Sequence, residues 1–172
     1  MTKNAPLSDT DARLLRILQK DGRRSYSDLG TDLGMAGPSV HERVKKLESR
    51  GVIRGYSADV DPMAVGLRVV AFTWVTQAPG TVATDLVPDF TAIGEIEECH
   101  HVAGEADYLL KIRARDMEHL GTVVRRVQTT ANVFATETDV VFTTAFERRP
   151  LPVVRDDRDA RNVGETGRAG GA

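Results

Sequence analysis

A run of polar side chains between Pro38 and Lys46 has the residue types that read and hold DNA. Basic side chains bind phosphate oxygens, while hydroxyl, imidazole and carboxylate groups form hydrogen bonds with base edges in the major groove. Apolar residues interrupt this run at helical spacing, since Val40, Val44 and Leu47 occupy positions i, i+4 and i+7. A helix here buries those three side chains and leaves the polar ones on its other faces. We therefore predict a recognition helix.

The polar positions of this helix divide by the chemistry that they offer to DNA. Ser39, His41 and Glu42 lie near its start, where side chains can reach base edges. Lys45 and Lys46 follow late in the helix and are expected to contact phosphates, which position a protein on DNA without specifying a sequence. The helix therefore predicts double-stranded DNA as a partner.

Three further residues complete the predicted interface. Pro38 suits the first helical position because it has no N–H to satisfy, and Gly37 before it is a permissive N-cap. Two interpretations of Arg43 stay open, a phosphate contact or a pair with an acid elsewhere in the same domain. Arg54 contacts a phosphate or the minor groove, or has no role. The predicted DNA-binding residues are Pro38, Ser39, His41, Glu42, Arg43, Lys45, Lys46 and Arg54.

A shorter helix and a tight turn must position the recognition helix. Ser25 with Asp28 three residues later has the spacing of a capping box, and Leu29 and Leu33 supply an apolar stripe. Gly34 is expected to turn the chain, since glycine takes a positive φ at little cost. The pattern is that of a helix-turn-helix.

Two more elements flank this pair of helices. Ser8 and Asp11 have the spacing of a second capping box, which starts a supporting helix that ends near Gly22. The apolar stripe of that helix is Leu14, Leu15 and Leu18. After the recognition helix, residues 52–56 resemble the short strand pair of a wing. The N-terminal part of the chain is therefore predicted to be a winged helix-turn-helix.

The net charge of the whole chain conceals the basic character of this part. The 172 residues include 23 Lys and Arg against 25 Asp and Glu, a formal net charge of -2. Residues 1–56 contain 11 Lys and Arg against 7 Asp and Glu, whereas residues 57–172 contain 12 against 18. The first part is therefore at about +4 and the second at about −6, and the basic part is the one with the predicted recognition helix.

The second half of the chain has the periodicity of a small α+β domain. Strands are predicted at residues 68–76, 96–102, 108–114 and 133–146. Helices are predicted over residues 82–93, with a kink at Pro88 and Gly94 as the C′ residue, and over 117–127. The order β-α-β-β-α-β is the ferredoxin-like arrangement, in which both helices cover one face of an antiparallel sheet. The apolar open face needs a cover, and a homodimer is the simplest one.

The fold class that follows is α+β, an N-terminal winged helix-turn-helix plus a C-terminal ferredoxin-like βαββαβ domain. The predicted domains are residues 1–58, a linker at 59–66, and residues 67–147. Residues 148–172 have a charged, Gly-rich composition and are predicted to be a disordered tail, whose arginines either are solvated or add non-specific DNA affinity.

Composition argues against several other classes of protein. The single cysteine, Cys99, cannot form an internal disulfide, and the N-terminal residues lack the apolar core of a signal peptide, so a cytoplasmic protein with no membrane contact is expected. Cys99, His100 and His101 alternate faces on a strand and cannot converge on one metal ion. We therefore expect no enzyme activity, no catalytic residues, no metal and no cofactor.

Both halves carry sequence patterns that resemble one known family. Residues 14–56, including His-Glu-Arg-Val-Lys-Lys-Leu-Glu at 41–48, look like the head of the Lrp/AsnC (leucine-responsive, feast/famine) family of transcription regulators. Residues 102–111 resemble the turn of that family's effector site, and the likeness spans residues 7–150. It implies a regulator whose effectors are amino acids bound between ferredoxin-like domains, built from dimers that often assemble to octamers or related rings.

The resemblance also implies which residues hold the effector. Gly104 takes the position of the family's turn glycine, Glu105 departs from the commoner Asp by one methylene, and Asp107 is a suitable partner for an α-ammonium. With an aromatic residue and two threonines of the last strand, the predicted effector-binding residues are Gly104, Glu105, Asp107, Tyr108, Thr136 and Thr138. A plain β-turn with solvated acids, beside ordinary strand threonines, is the alternative.

Two departures and one alternative function stay open. Ala36 and Gly37 stand where the family commonly has a Ser-Pro cap, so a weaker N-terminus of the recognition helix is expected. The alternative function is an architectural DNA-wrapping protein without ligand control. An acidic turn at the domain interface favours the regulator, because a protein that only wraps DNA has no use for such a pocket.

Overall fold

The elements of the computed structural model, which describes residues 6–80, 82 and 86–153, follow the predicted order. The chain divides into two compact units, one of residues up to Ala58 with the segment from Phe146, and one of Asp59–Ala145. The first unit contains α1 (Asp9–Leu18), α2 (Tyr26–Leu33) and α3 (Gly37–Ser49). The second contains β1 (Val69–Gln77), α4 (Val87–Thr91), β2 (Ile96–His101), β3 (Tyr108–Ala114), α5 (Met117–Gln128) and β4 (Val133–Val140). The fold class is therefore α+β, as predicted.

The three helices of the first unit pack around a small apolar core. The N–H of Asp11 donates to the Ser8 hydroxyl at 3.1 Å, and the Asp11 carboxylate accepts from the Ser8 N–H at 3.1 Å, which closes the predicted capping box. Gly34 ends α2 with a φ of 68°, in the left-handed region. The buried core side chains are Leu14, Leu29, Leu33, Val40, Val44 and Leu47. Each contributes about 1.5–3 kcal/mol when fully buried.

The turn between α2 and α3 depends on a second glycine, Gly30, which the sequence pattern did not single out. A Cβ on Gly30 would lie 2.5 Å from the carbonyl oxygen of Met35 and 3.3 Å from the backbone nitrogen of Gly37. Cβ atoms do not approach a carbonyl oxygen that closely. The backbone of α2 therefore lies directly against the start of the recognition helix, and this contact fixes the angle of the turn.

The predicted wing is wrong, since residues 52–56 form no strand in the described structure. Gly51, with a φ of 68°, turns the chain at the end of α3. The N–H groups of Val52 and Ile53 then donate to the carbonyl of Leu47 at 2.9 and 3.2 Å, and the Gly51 N–H donates to Glu48 at 2.8 Å. This is a Schellman cap, whose backbone donors satisfy the helix end and are lost to strand pairing. The first unit is a helix-turn-helix without a strand pair at this point.

The second unit is a four-stranded antiparallel sheet with the strand order β2-β3-β1-β4. This order and the two intervening helices are the predicted ferredoxin-like arrangement. The register pairs Ala71 with Ile112 and Val75 with Tyr108, so these side chains share one face. They pack in one core with Phe90 and with apolar residues of α5. Both helices therefore cover the same face of the sheet.

The opposite face of the sheet, the open face, is part ionic and part aromatic. Arg113 Nε lies 2.7 Å from the Glu97 carboxylate, and Lys111 Nζ lies 3.2 Å from both Glu97 and Glu98. Lys111 pairs in register with Phe72, and the next outward position of β1 is Trp74. The expectation of an apolar open face thus holds for only part of it, because the long cations are buried by their acid partners.

The predicted bounds of the first helix in this unit were wrong. The described part of α4 is only Val87–Thr91, with Pro88 in its first turn, so proline starts the helix there rather than kinking a longer one. The C-cap of α4 is Ala92, which leaves Gly94 beyond the C′ position. Residues 83–85 of the predicted helix lie outside the described residues.

The last strand is also shorter than predicted. β4 ends at Val140, opposite Ala71, and the N–H of Val141 makes one more bond to Val70 at 2.9 Å. Its partner β1 begins at Val69, so residues after Val141 have no strand to pair with. The extended pattern up to Phe146 therefore has no sheet to join.

The start of the predicted disordered tail is placed in the first unit. The N–H of Leu151 donates to the Gln19 side chain at 2.6 Å, and Leu151 to Val153 lie beside α1. Residues 154–172 of that predicted tail lie outside the described residues.

Candidate nucleic-acid interface and ligand pocket

The exposed face of α3 carries most of the predicted DNA-binding residues. Val40 and Val44 are fully buried, and this fixes which side of the helix faces outward. The exposed predicted residues are Pro38, Ser39, Glu42, Lys45 and Lys46. The N-cap is Ala36, without a side-chain hydrogen bond, so α3 begins one residue earlier than predicted, with Pro38 second in the helix. The helix presents hydroxyl, carboxylate and ammonium groups together, which can contact both bases and phosphates.

His41 is held by an aromatic neighbour that sequence reasoning missed. Its ring lies 4.9 Å from the ring of Tyr26, the first residue of α2, at an angle of 55°. Tilted rings at this distance attract each other by roughly 0.5–1.5 kcal/mol beyond simple burial. Tyr26 and His41 are 15 residues apart in sequence, and only the folded turn between α2 and α3 brings them together. Tyr26 thus restricts the orientation of a predicted base-reading side chain.

Arg43 faces α1. Its Nη1 donates to the Asp11 carboxylate at 2.8 Å and to the Ser8 hydroxyl at 3.1 Å. Burial raises the pKa of Asp11, but hydrogen bonds from Arg43 and Ser8 and the guanidinium charge outweigh it, so this pKa lies below its ordinary value. Of the two interpretations of Arg43, the structure contains the pair with an acid of the same unit.

Arg54 lies after the Schellman cap, away from the exposed positions of α3 along the chain. It is exposed and lines a groove together with α1 and residues 151–153. Arg24, a basic residue that sequence reasoning left aside, is paired with Asp32 at 2.7 Å. Lys45 and Lys46, by contrast, are exposed on the outward side of α3.

A cavity of about 840 Å³ lies beside the turn between β2 and β3 in the second unit. Its lining comes from β1, from that turn and from β4, and consists of Trp74, Thr76, Val102, Ala103, Gly104, Glu105, Ala106, Ala135, Thr136 and Glu137. Glu105 and Glu137 are the charged side chains of this described lining, and both are acids. Trp74 and the alanines supply an apolar wall. The cavity therefore suits a small ligand with an ammonium group and an apolar part.

Three of the predicted effector residues, Gly104, Glu105 and Thr136, line this cavity. A Cβ on Gly104 would meet no atom within 4 Å, so the fold itself leaves room there for a larger residue. Asp107 serves the turn: its carboxylate accepts from the Gln77 N–H at 2.7 Å, and its N–H donates to Val75 at 2.9 Å. Asp107 thus fastens the turn to β1.

The side chains of the two remaining predicted effector residues, Tyr108 and Thr138, and the hydroxyl of Thr136 face the helix-covered side of the sheet. Tyr108 is 1% exposed, and its ring packs edge-on against Phe90 at 5.6 Å between centroids. The Thr138 hydroxyl lies 3.0 Å from that of Thr73, and the Thr136 hydroxyl accepts from Gln128 at 2.9 Å. Sequence spacing correctly put both threonines on one face, and the register decides that their hydroxyls point to the helices.

The cysteine and histidine cluster offers little nucleophilic or metal chemistry. Burial raises the pKa of the Cys99 thiol, which lowers the fraction of reactive thiolate at neutral pH. Within the described ranges, no group of three or more His, Cys, Asp or Glu side chains is arranged to hold a metal ion. Nor does that part of the chain contain a helix long and apolar enough to cross a membrane.

A helix-turn-helix unit joined in one chain to an α+β unit with a ligand-sized cavity is the build of a DNA-binding transcriptional regulator with a sensory domain. The AsnC-type helix-turn-helix domain model matches residues 7–48, and the Lrp/AsnC ligand binding domain model matches residues 70–151. The chain belongs to the Lrp/AsnC family of helix-turn-helix transcriptional regulators.

Individual relatives agree with this assignment. The chain is 38% identical over 149 residues to the HTH-type transcriptional regulator LrpA of Mycobacterium tuberculosis, across 87% of this chain and 99% of that one. It is 36% identical over 133 residues to the leucine-responsive regulatory protein of Haemophilus influenzae, across 73% of this chain and 79% of that one.

Two solved structures similar to this chain contain an amino acid. A feast or famine regulatory protein from M. tuberculosis, complexed with L-methionine, superposes with a TM-score of 0.78 at 38% identity over 83% of this chain and 97% of that one. The transcriptional regulator NMB0573 of Neisseria meningitidis, in an L-Met complex, gives a TM-score of 0.77 at 28% identity over 85% and 96%.

Proposed function

We propose that this regulator binds an operator through α3 and changes that binding when an amino acid occupies the cavity beside residues 102–106. The observation that carries the proposal is the cavity itself. Its volume of about 840 Å³ falls within the usual range for small-molecule sites, and the predicted Gly104, Glu105 and Thr136 line it. The space beside Gly104 lets a ligand approach the backbone.

The chemistry of the lining supports an amino acid as the ligand. Glu105 and Glu137 can pair with an α-ammonium, and Trp74 can cover an apolar side chain. Backbone N–H groups of residues 103–106 are the candidates for the α-carboxylate. L-Methionine in two related structures makes this ligand class the first to test.

On the DNA side, we assign base contacts to Ser39, His41 and Glu42 and phosphate contacts to Lys45 and Lys46. Apart from the partly covered His41, these side chains are exposed on α3. Arg43 is left out of the interface because Asp11 holds its guanidinium. Arg54 remains a weaker candidate.

We further infer that the open face of the sheet meets a second copy of the chain. Phe72 and Trp74 lie on that face, and Trp74 is 36% exposed in the isolated chain. A homodimer would pair two DNA-reading units, which suits half-sites about one helical turn apart, and the dimers could assemble to an octamer. Such a regulator would work in the cytoplasm, where its DNA lies. Sedimentation of the purified chain tests the assembly, and a monomer at micromolar concentration would contradict it.

A thermal-shift panel of the twenty common amino acids at millimolar concentration tests the proposed function. A ligand at about 100 times its Kd should stabilise the chain by about 2.7 kcal/mol. The matched variant is Glu105→Gln, because Glu105 is exposed in the cavity lining, whereas substitution of Asp107 would also release the Gln77 N–H. The shift should shrink in Glu105→Gln. A flat panel for the unaltered chain would contradict an amino-acid effector and favour an architectural DNA-wrapping role.

A further inference from the structure

The segment Leu151–Val153 lies in a groove of the first unit. This groove of about 560 Å³ is lined by α1, by residues 52–56 and by the segment itself. Apolar side chains form much of its wall: Leu7, Leu15, Leu18, Val52 and Ile53. Leu15 and Leu18 belong to α1, and Val52 and Ile53 belong to the Schellman cap that ends α3. The groove is therefore part of the DNA-reading unit, and residues 151–153 form one of its walls.

Side chains at the C-terminal end of α1 hold this segment by its main chain. The Leu151 N–H donates to Gln19 Oε1 at 2.6 Å, and Gln19 Nε2 donates to the Leu151 carbonyl at 3.1 Å. Arg16 Nη2 lies 3.5 Å from the carbonyl of Val153. A carboxamide that bonds both the N–H and the C=O of one residue does what a neighbouring β-strand would do. The Leu151 side chain is 71% exposed, so the contact is made by backbone atoms.

The chain is bent sharply just before this docked segment. Arg148 has a φ of 49°, which a residue with a side chain adopts at a cost of about 1–2 kcal/mol. Such a conformation persists only where the surroundings hold it. The guanidinium carbon of Arg149 lies 4.0 Å from the centre of the Phe146 ring, which closes the bend. The segment from Phe146 to Val153 therefore has a defined backbone conformation.

This segment continues directly from the strand that lines the ligand cavity. Ala135, Thr136 and Glu137 of β4 belong to the lining, and the sheet keeps its last bond at Val141. Residues 142–145 alone separate that bond from Phe146. The other covalent link between the units follows Ala58, after the recognition helix. The first unit is thus joined to the second twice, and the later link follows β4, the strand that contributes residues 135–137 to the cavity lining.

We propose that residues 146–153 are a tether that passes the ligand state of β4 to the DNA-reading unit, with Gln19 as the anchor. The inference rests on the proposed function. A ligand against β4 alters the strand end that the tether leaves, and the tether is bonded to α1. α1 in turn is paired with the recognition helix through Asp11 and Arg43. Coupling of this kind between two sites ordinarily changes affinity by about 5- to 150-fold.

Three full-length variants and one control test the tether. Gln19→Ala removes the anchor, and Leu151→Pro removes the main-chain donor. Leu151→Ala keeps the main-chain contact, and Thr10→Ala is a control on α1 outside the groove lining. Fluorescence anisotropy measures affinity for a bound DNA fragment with and without the most stabilising amino acid of the panel, L-methionine being tried first.

The expected result separates ligand binding from its effect on DNA. In Gln19→Ala and Leu151→Pro, the amino acid should change DNA affinity by less than about twofold, while the thermal shift and the ligand-free DNA affinity stay near those of the unaltered chain. Leu151→Ala and Thr10→Ala should keep the full response. An undiminished response in Gln19→Ala overturns the tether alone.

Amide hydrogen exchange supplies an independent readout on the unaltered chain. The Leu151 N–H should exchange slowly and become fast in Gln19→Ala, because Gln19 is its acceptor. Fast exchange in the unaltered chain overturns the docking. If no amino acid alters DNA binding by the unaltered chain, the proposed function fails and the tether fails with it. If the unaltered chain responds and Gln19→Ala responds equally, only the tether fails.

Discussion

The guanidinium of Arg43 in the recognition helix lies 2.8 Å from the carboxylate of Asp11 at the start of α1. Asp11 is 7% exposed and also closes the capping box of its own helix with Ser8. One carboxylate therefore caps the start of α1 and also holds Arg43 of α3. This pair gives Arg43 an architectural role, so we expect the contacts with DNA to come from the residues that point outward.

Loss of the Arg43 side chain should destabilise the first unit. Arg43→Ala leaves the nearly buried Asp11 carboxylate without its main partner, which costs about 1–3 kcal/mol. Urea unfolding followed by far-UV circular dichroism measures the change. Asp32→Asn is the control, since the Arg24–Asp32 pair is partly exposed and should contribute less than about 1 kcal/mol. Equal losses in the two variants would contradict the assigned role.

The same pair should make the stability depend on acid pH. In the unfolded chain the Asp11 carboxyl has an ordinary pKa of about 3.9, and its folded pKa is lower because of Arg43 and Ser8. The contribution of Asp11 to the free energy of unfolding is therefore complete above the unfolded pKa and is lost as the pH falls through the folded pKa. Urea unfolding at several pH values below about 5 should give a shallower decline for Asp11→Asn. Parallel curves would show that Asp11 makes no such contribution.

The exposed lysines of α3 should set the salt dependence of DNA binding. Lys45→Ala and Lys46→Ala should each lower the slope of log K against log salt by about 0.9, because each phosphate contact releases counterions. Anisotropy titrations over a range of salt concentrations on unrelated DNA fragments measure the slope. Lys20→Ala, an exposed lysine beyond α1, should leave it unchanged. An unaltered slope in both α3 variants would take these lysines off the DNA.

Tyr26 should support sequence preference through His41. His41→Ala should lower the ratio of operator to non-specific affinity by about 5- to 100-fold, the range for one lost base contact of 1–3 kcal/mol. Tyr26→Ala should show part of this loss, because the His41 ring would lose its neighbour at 4.9 Å, while Tyr26→Phe keeps the ring and the preference. Selection from a random DNA library identifies the operator. Unchanged preference in Tyr26→Ala would mean that the ring contact has no part in recognition.

Substitution by alanine should lower ligand affinity at Gly104 and stability at Gly30. Gly104→Ala meets no protein atom within 4 Å, so stability should change by less than about 1 kcal/mol while amino-acid affinity falls by about tenfold or more. Gly30→Ala places a Cβ 2.5 Å from the Met35 carbonyl oxygen and should cost more than about 2 kcal/mol. Thermal unfolding and isothermal titration calorimetry measure the two effects. Full amino-acid affinity in Gly104→Ala would exclude close approach of a ligand there.

The predictions that proved correct rest on short-range chemistry. The capping box at Ser8 is satisfied within one turn, and Gly34 lies where a left-handed residue ends α2. Strand β3 has its predicted bounds, Tyr108–Ala114, because alternation along a strand needs no partner to be read. The family resemblance, confirmed by both domain matches, added the order and role of the units.

The predictions that went wrong depend on partners far along the chain. Extension of β4 to Phe146 was limited by where β1 begins. The predicted wing does not form at residues 52–56, because the N–H groups of Val52 and Ile53 donate to the Leu47 carbonyl in the cap of α3. The directions of the Tyr108 ring and the Thr138 hydroxyl, which the sequence pattern did not specify, likewise depend on strand register. None of these competing partners is visible in a local pattern.

Both hydrogen bonds between the Gln19 side chain and Leu151 involve main-chain atoms of Leu151, and this has a consequence for how the protein could be altered. The side chain at position 151, proline excepted, could be exchanged without loss of these bonds, whereas we expect the length of the span between Val141 and Phe146 to matter. We expect a few residues inserted within 142–145 to lengthen this connection and to weaken transmission of the ligand state from β4 to α1. The length of such an insertion, rather than its composition, should then determine how strongly amino-acid binding changes the DNA affinity of this regulator.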